Sequence, residues 1–230
     1  MRLNKFIAKS GYCSRRQADI LIKQGKVKVG RKIVKEPWQR VKDGDQVTIE
    51  NKVLKIPQSY IYLILNKPKG FVVTKKDKFA KKTIYELLPK RFKNLFPVGR
   101  LDKDSRGLLI LTNDGDFSYQ YTHPKFEVEK EYILVVRGKF TEGDVSRAYQ
   151  GIKEGEDFLR VKKIKIQRVY PNKTKLSCLI SEGKKRHLRK LFSSLGFKVL
   201  DLKRVRMGDF SLGNLKEGQF KITKLSNDRH

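Results

Sequence analysis

Between residues 99 and 115 the chain reads Gly99-Arg100-Leu101-Asp102-Lys103-Asp104-Ser105-Arg106-Gly107-Leu108-Leu109-Ile110-Leu111-Thr112-Asn113-Asp114-Gly115. A polar loop bounded by glycine runs into an apolar stretch and stops at an Asn-Asp-Gly turn. Loops seated on rigid scaffolds are where reactive groups collect. This one sets two carboxylates, Asp102 and Asp104, among Arg100, Lys103 and Arg106. Three kinds of chemistry suit such residues. An Asp can cap a turn and pair with its Arg neighbours, which is purely structural. Two carboxylates one residue apart can begin a divalent-cation site, but that needs further oxygen ligands, which the spacing does not supply. Or one carboxylate can attack a glycosidic carbon, as carboxylates do in glycosidases. The residues alone leave the three open.

The rest of the composition narrows the setting. Lys and Arg number 54 against 24 Asp and Glu, a formal charge of +30 on 230 residues. Such a charge repels itself, and a polyphosphate partner offsets that cost by releasing counterions. Nucleic acid is therefore the expected partner. Thermophile-style enrichment in Lys is the bland alternative, but it normally brings Glu as well, and acids are scarce here. The charge is spread along the chain: residues 1–60 carry 15 of the basic residues and 5 of the acids. Both parts should therefore meet phosphates. Acidic groups repel phosphates, so the carboxylates of the 99–107 loop call for a reason.

Cys13 and Cys178 lie far apart, which excludes a disulfide scaffold or a thiolate metal site and fits a reducing cytoplasm. His123, His187 and His230 have no metal-ligand spacing. No glycine-rich segment ends in Gly-Lys-Ser or Gly-Lys-Thr, so a nucleotide-triphosphate loop is absent. Neither a metal nor a cofactor is expected. No apolar run approaches the roughly 18 residues of a spanning helix. The opening Met1-Arg2-Leu3-Asn4-Lys5 leads into an amphipathic pattern rather than a signal core. We expect a cytoplasmic monomer without membrane attachment.

The elements that must position the loop can be read from periodicity and punctuation. Leu3, Phe6 and Ile7 share a helical face over residues 2–10, and Gly11 stops the run. Ser14-Arg15-Arg16-Gln17 is a capping-box pattern that opens a helix to Gly25. Val27 and Val29, then Ile33 and Val34, flank a tight turn at Gly30-Arg31. Asp43-Gly44-Asp45 turns into a strand over 46–49. Pro57-Gln58-Ser59 reads as a linker, giving domains of 1–58 and 59–230. Beyond it, strands are expected at 61–66, 71–74, 108–112, 132–136, 164–169 and 175–180, and helices at 83–88, 143–149 and 184–195. That order predicts an α+β fold with a mixed, mostly antiparallel sheet flanked by helices.

Residues 2–34 resemble the RNA-binding domain first described in ribosomal protein S-four, the alpha-L motif. The resemblance rests on Arg2-Leu3-Asn4-Lys5-Phe6-Ile7, Ser14-Arg15-Arg16-Gln17-Ala18 and Gly25-Lys26-Val27-Lys28-Val29-Gly30. It implies RNA contacts at Arg15, Arg16, Lys26, Lys28 and Arg31. Independently of it, Arg15 and Arg16 sit in a first helical turn, where backbone amides also attract phosphate.

From about residue 60 to 222 the chain resembles a pseudouridine synthase of the group that modifies ribosomal RNA. Five motifs in order carry this: Asn66-Lys67-Pro68-Lys69-Gly70; Gly99-Arg100-Leu101-Asp102 followed by Ser105-Arg106-Gly107-Leu108-Leu109; Lys130-Glu131-Tyr132; Glu182-Gly183-Lys184-Lys185-Arg186-His187-Leu188-Arg189-Lys190-Leu191-Phe192; and Leu202-Lys203-Arg204-Val205-Arg206-Met207-Gly208. The resemblance implies Asp102 as nucleophile, Tyr132 stacked on the uracil, and Arg189 paired with the Asp102 carboxylate. It further implies Arg100 wedged into the space the base leaves, and Leu202 lining the pocket. His187 stands where relatives commonly carry Gln or Glu. Thr112-Asn113-Asp114-Gly115 and Arg206-Met207-Gly208-Asp209 look more like the type acting on the large subunit. The partner implied is ribosomal RNA or a pre-ribosomal particle. A small-subunit target, or a ribosome-assembly factor that binds without catalysis, is the alternative.

Overall fold

A computed structural model describes residues 1–75 and 82–225 of the protein. The chain divides into two compact units, one of Met1–Ile61 with Asn113–Gly115, the other of the remaining residues.

In the first unit, helices α1 (Leu3–Lys9) and α2 (Arg15–Lys23) precede strands β1 (Val27–Val29), β2 (Lys32–Val34), β3 (Val47–Ile49) and β4 (Lys52–Leu54). The strands form an antiparallel sheet in the order β2-β1-β3-β4. Leu3 and Ile7 of α1, Ala18 and Ile22 of α2 and the inward strand residues Val27, Val34, Val47 and Ile49 make one core. The Ser14 hydroxyl caps α2 by accepting the Gln17 amide at 3.3 Å. The return bond expected from the Gln17 side chain is not formed: that side chain is exposed, where water competes for it.

The second unit contains β5 (Tyr62–Lys67), β6 (Phe96–Pro97), β7 (Arg106–Thr112), α3 (Gly115–Thr122), β8 (Lys130–Arg137), α4 (Glu142–Gln150), β9 (Ile152–Glu154), β10 (Asp157–Leu159), β11 (Lys163–Tyr170), β12 (Lys173–Ile180), α5 (His187–Ser194), β13 (Val199–Met207), β14 (Phe210–Ser211) and β15 (Phe220–Thr223). Its main sheet runs β11-β12-β8-β13-β7-β5-β15, with β14 on β13 and β6 on β7. Every pairing is antiparallel except β13 with β7, which lasts for two registered pairs, Lys203 with Arg106 and Arg204 with Gly107. The fold is α+β with a mixed, mostly antiparallel sheet, as its pattern of strands predicts.

Where β7 meets β13 the backbones come very close. A Cβ on Gly107 would stand 2.2 Å from the Arg204 carbonyl oxygen, and Gly107 has φ of +103°. Only glycine satisfies both conditions. The loop holding Asp102 enters the sheet at this junction.

Some expected elements differ. Residues 71–74 form no strand; Val72 makes a single bridge to Thr83. The 83–88 helix is one 3-10 turn, Ile84–Leu87, cut short ahead of Pro89. Helix α5 starts at His187 rather than 184, because Arg186 adopts a left-handed φ of 56°.

Candidate active site

The loop from Gly99 to Ser105 is fixed from below by a buried lysine. Lys67 ends β5 with its side chain fully enclosed. Its ammonium donates to the carbonyls of Pro68 (3.0 Å), Asp102 (3.2 Å), Lys103 (3.4 Å) and Ser105 (2.7 Å). Burial pulls its pKa down to about 8, against the opposing charges of Asp102 and Asp104. The Ser105 amide donates to the Asp102 carbonyl at 3.0 Å, and the Gly70 amide to that of Lys103 at 2.8 Å. The Asp102 backbone is therefore held twice, while its carboxylate makes no hydrogen bond or ion pair among the described residues.

Three elements face that carboxylate across a cleft of about 630 Å³. Strand β8 alternates, burying Lys130, Tyr132, Leu134 and Val136 on one face. On β13, Leu202 pairs with Leu134 and Arg204 with Tyr132, and a bulge follows between Arg204 and Arg206. Bulges beside sites re-aim side chains. The turn into α5 contributes Arg186 and His187.

The structure thus brings Arg100, Asp102, Tyr132 and Leu202 into one cleft. Tyr132 and Leu202 are buried, Asp102 is half-buried and Arg100 is exposed. Arg189 departs from its expected place. It does not line this cleft and forms no ion pair with Asp102. Its guanidinium donates to the Val199 carbonyl at 3.3 Å and to the Asp104 carbonyl at 3.1 Å, so it grips the same loop two residues away. The cause is local: α5 packs beside the start of β13, so a side chain three residues into the helix meets Val199 first.

Sequence reasoning passed over three basic groups. Lys67 is one, although a Lys closing the apolar run Tyr62–Leu65 is a visible signal of a buried cation. Lys130 is another; its ammonium donates to Val128 (2.7 Å) and Ser181 (3.0 Å), and burial, reinforced by Arg204, lowers its pKa to about 8 against the pull of Glu182. The third is Arg204, 2% exposed, with Nε on the Leu108 carbonyl at 2.8 Å and Nη2 unpartnered. Lys130 and Arg204 both line the cleft. His187, also in its wall, bonds the Arg160 carbonyl through Nε2 at 2.9 Å, and burial lowers its pKa. His230 lies outside the described residues.

An ion cluster ties the start of β7 to β13. Arg106 is bidentate on Asp201, at 3.0 Å from Nε and 2.7 Å from Nη2, and Lys69 reaches the same carboxylate at 2.7 Å. Burial pushes the Asp201 carboxyl up, but the bonds and charges of Arg106 and Lys69 outweigh it and hold the group at about 2.

A carboxylate without a side-chain partner among the described residues, on a fixed loop and in one cleft with an aromatic ring and basic groups, is available to act as a nucleophile or a base. In the first unit, Arg15, Arg16, Lys26, Lys28 and Arg31 are all exposed.

Comparisons with known proteins converge on one family. The sequence model described as RNA pseudouridylate synthase matches residues 61–194, and that of the S4 domain matches residues 1–47. An uncharacterized RNA pseudouridine synthase of Aquifex aeolicus is 36% identical over 96% of this chain and 92% of its own length. The ribosomal large subunit pseudouridine synthase B of Bacillus subtilis is 34% identical, covering 94% of this chain and 89% of that one. A crystal structure of a pseudouridylate synthase superposes with a TM-score of 0.70 at 31% identity, over 97% of this chain and 96% of that one.

Proposed function

The chain belongs to the RNA pseudouridylate synthase family, and from that premise we propose that it converts a specific uridine of large-subunit ribosomal RNA to pseudouridine. The observation that carries the reading is the free Asp102 carboxylate in a cleft shared with Tyr132, Arg100 and Leu202. The large-subunit target is supported by the likeness to the Bacillus subtilis enzyme.

The target base leaves its stack at a cost of a few kcal/mol. Stacking on Tyr132 returns about 1–3 kcal/mol of that, and Arg100, exposed at the rim, fills the gap left in the RNA. Asp102 attacks the nucleoside, the bond from C1′ to N1 breaks, and the uracil turns within a pocket walled by Leu202. A new bond joins C5 to C1′ as Asp102 is released from the nucleoside, the C5 proton leaves with help from Tyr132, and N1 takes up a proton. Atoms are conserved, so neither cofactor nor metal is called for. Arg189 serves as a positioning residue through Asp104. Water must be kept out, or the sugar would hydrolyse. In this reading the enzyme works as a cytoplasmic monomer. No helix among the described residues is long and apolar enough to cross a membrane.

The test is incubation with transcribed large- and small-subunit ribosomal RNA, then carbodiimide labelling and primer extension. The expected result is a discrete stop in the large-subunit RNA with no change in RNA mass. A protein that binds both RNAs yet leaves no stop would be an assembly factor, and release of free uracil would make it a glycosidase.

The N-terminal unit supplies affinity rather than chemistry in this reading. Arg15→Ala with Arg16→Ala should weaken RNA binding. It should also flatten the plot of log Kd against log salt by about 0.7–0.9 for each phosphate that is no longer neutralised. Turnover at saturating RNA should not change. Filter binding from low to moderate salt measures the slope, and an unaltered slope removes these two arginines from the RNA interface.

A further inference from the structure

Beside the cleft, α3 and the 3-10 turn Pro124–Phe126 carry a cluster of aromatic rings that the chemistry above does not use. Tyr119 is 48% exposed and Phe126 40% exposed. Their rings meet edge to face at 5.6 Å, and the His123 ring lies 4.8 Å from Tyr119. The Lys125 ammonium stands over both, 5.3 Å from the Tyr119 centroid and 4.7 Å from that of Phe126. Outward aromatics of this size normally belong in a core or at a binding surface.

The cluster is pre-set rather than loose. The His123 amide donates to the Tyr119 carbonyl at 2.9 Å, which carries the helical path past Thr122. The His123 Nδ1 accepts the Lys125 amide at 3.3 Å and caps the 3-10 turn. The rings are therefore ordered before anything binds, which lowers the entropy cost of binding.

Its location identifies the occupant. Thr122, three residues from Tyr119 on the same helix, lines the cleft that holds Asp102. Residues three apart on a helix are neighbours. Phe126 opens on the far side into a second groove, also lined by Arg206, Lys221 and Lys224. The acids nearby are Asp116, three residues before Tyr119 on α3, Glu127 and Glu129 in the following segment, and Asp209 in the groove wall, set against Lys125, Arg206, Lys221 and Lys224; Glu129 is paired with Arg206 and Lys162. Open aromatic faces with a cation over them, one step from a uridine pocket, match the chemistry of an unpaired RNA base with its phosphate.

We propose that Tyr119, Phe126 and Lys125 form a second stacking platform, which takes an unpaired nucleotide flanking the target uridine and so helps choose the site. This rests on the isomerase reading. Once the base beside the target is stacked there, the strand is anchored outside the cleft as well as within it.

The experiment compares the parent with Tyr119→Ala/Phe126→Ala and with Tyr119→Phe on transcribed large-subunit ribosomal RNA. The alanine pair should raise KM about 10-fold or more with kcat unchanged. Tyr119→Phe should behave as the parent, because the ring face is kept. A photoreactive p-benzoylphenylalanine placed at 119 should crosslink within a few nucleotides of the pseudouridine mapped for the parent. Unchanged KM in the alanine pair, lower kcat instead of higher KM, or crosslinks remote from the modified position would overturn the platform while leaving the isomerase reading intact. A parent enzyme that makes no pseudouridine in either ribosomal RNA would overturn both. Thermal unfolding of the pair should match the parent, since both side chains are on the surface, and a large fall in Tm would count against the platform.

Discussion

Asp102→Asn should bind ribosomal RNA at least as tightly as the parent and make no measurable pseudouridine. Loss of a nucleophile costs on the order of 10⁴-fold or more in turnover, which places the variant below detection in a standard tritium-release assay. The direction of the binding effect follows from charge. Affinity in a protein of net charge +30 rests on phosphate contacts, and the substitution removes a negative group from a cleft lined by Lys130 and Arg204. The structural cost should be small. The Asp102 side chain makes no hydrogen bond or ion pair among the described residues, and the bonds that fix its backbone come from Lys67 and Ser105. The amide is nearly the same size as the acid. A pair of measurements therefore separates chemistry from binding: tritium released from RNA labelled at uridine C5, and Kd by filter binding. Turnover within tenfold of the parent would take Asp102 out of the mechanism. Lost turnover together with lost affinity would mean that the loop had been disturbed instead.

How far the sequence anticipated this site depends on the residue. The strands with long apolar or alternating runs, β5, β7, β8, β11 and β12, were predictable because their burial is written in their own residues. Helix α3 was not. Its Gly115-Asp116-Phe117-Ser118-Tyr119-Gln120-Tyr121-Thr122 sequence is poor in strong helix formers, and it buries only Phe117 and Tyr121, one turn apart. Packing of those two rings against Tyr62 and Phe210 decides its conformation. The grouping of Arg100, Asp102, Tyr132 and Leu202 came from motif order and not from spacing, since four segments far apart in sequence cannot be registered against one another by periodicity. Arg189 shows the limit of that method. A motif fixes which helix carries an arginine, but the first available carbonyls decide where the guanidinium goes.

Lys67 is where a single substitution should disturb both stability and catalysis. Lys67→Met keeps the length and apolar body of the side chain and deletes the ammonium that ties four carbonyls together. Two effects oppose each other. Removing a buried cation relieves a desolvation penalty, visible in a pKa drawn down to about 8. Against that, the Pro68 and Ser105 carbonyls lose the ammonium as donor, at about 1–3 kcal/mol each if left unsatisfied. The Asp102 and Lys103 carbonyls keep backbone donors from Ser105 and Gly70. The second effect should win at neutral pH, with a net loss of roughly 2–4 kcal/mol. Activity should fall further than stability accounts for, by about 100-fold in kcat, because the backbone of Asp102, the proposed nucleophile, loses one of its two tethers. RNA affinity should change little.

The pH dependence distinguishes this from a generic packing defect. In the folded parent Lys67 releases its proton near pH 8, whereas the unfolded chain holds it until about 10.5. Between those values the unfolded state binds more protons, so this group makes the parent more stable as pH rises through the window. Lys130, also lowered to about 8, adds a similar rise that the variant retains. The stability gap between parent and Lys67→Met should therefore widen as pH rises from about 8 towards 10.5 in urea titrations. A gap that stays constant across that range would mean that folding does not lower the Lys67 pKa. The ammonium would then be hydrated in the folded protein, and the loop beneath Asp102 would need another anchor.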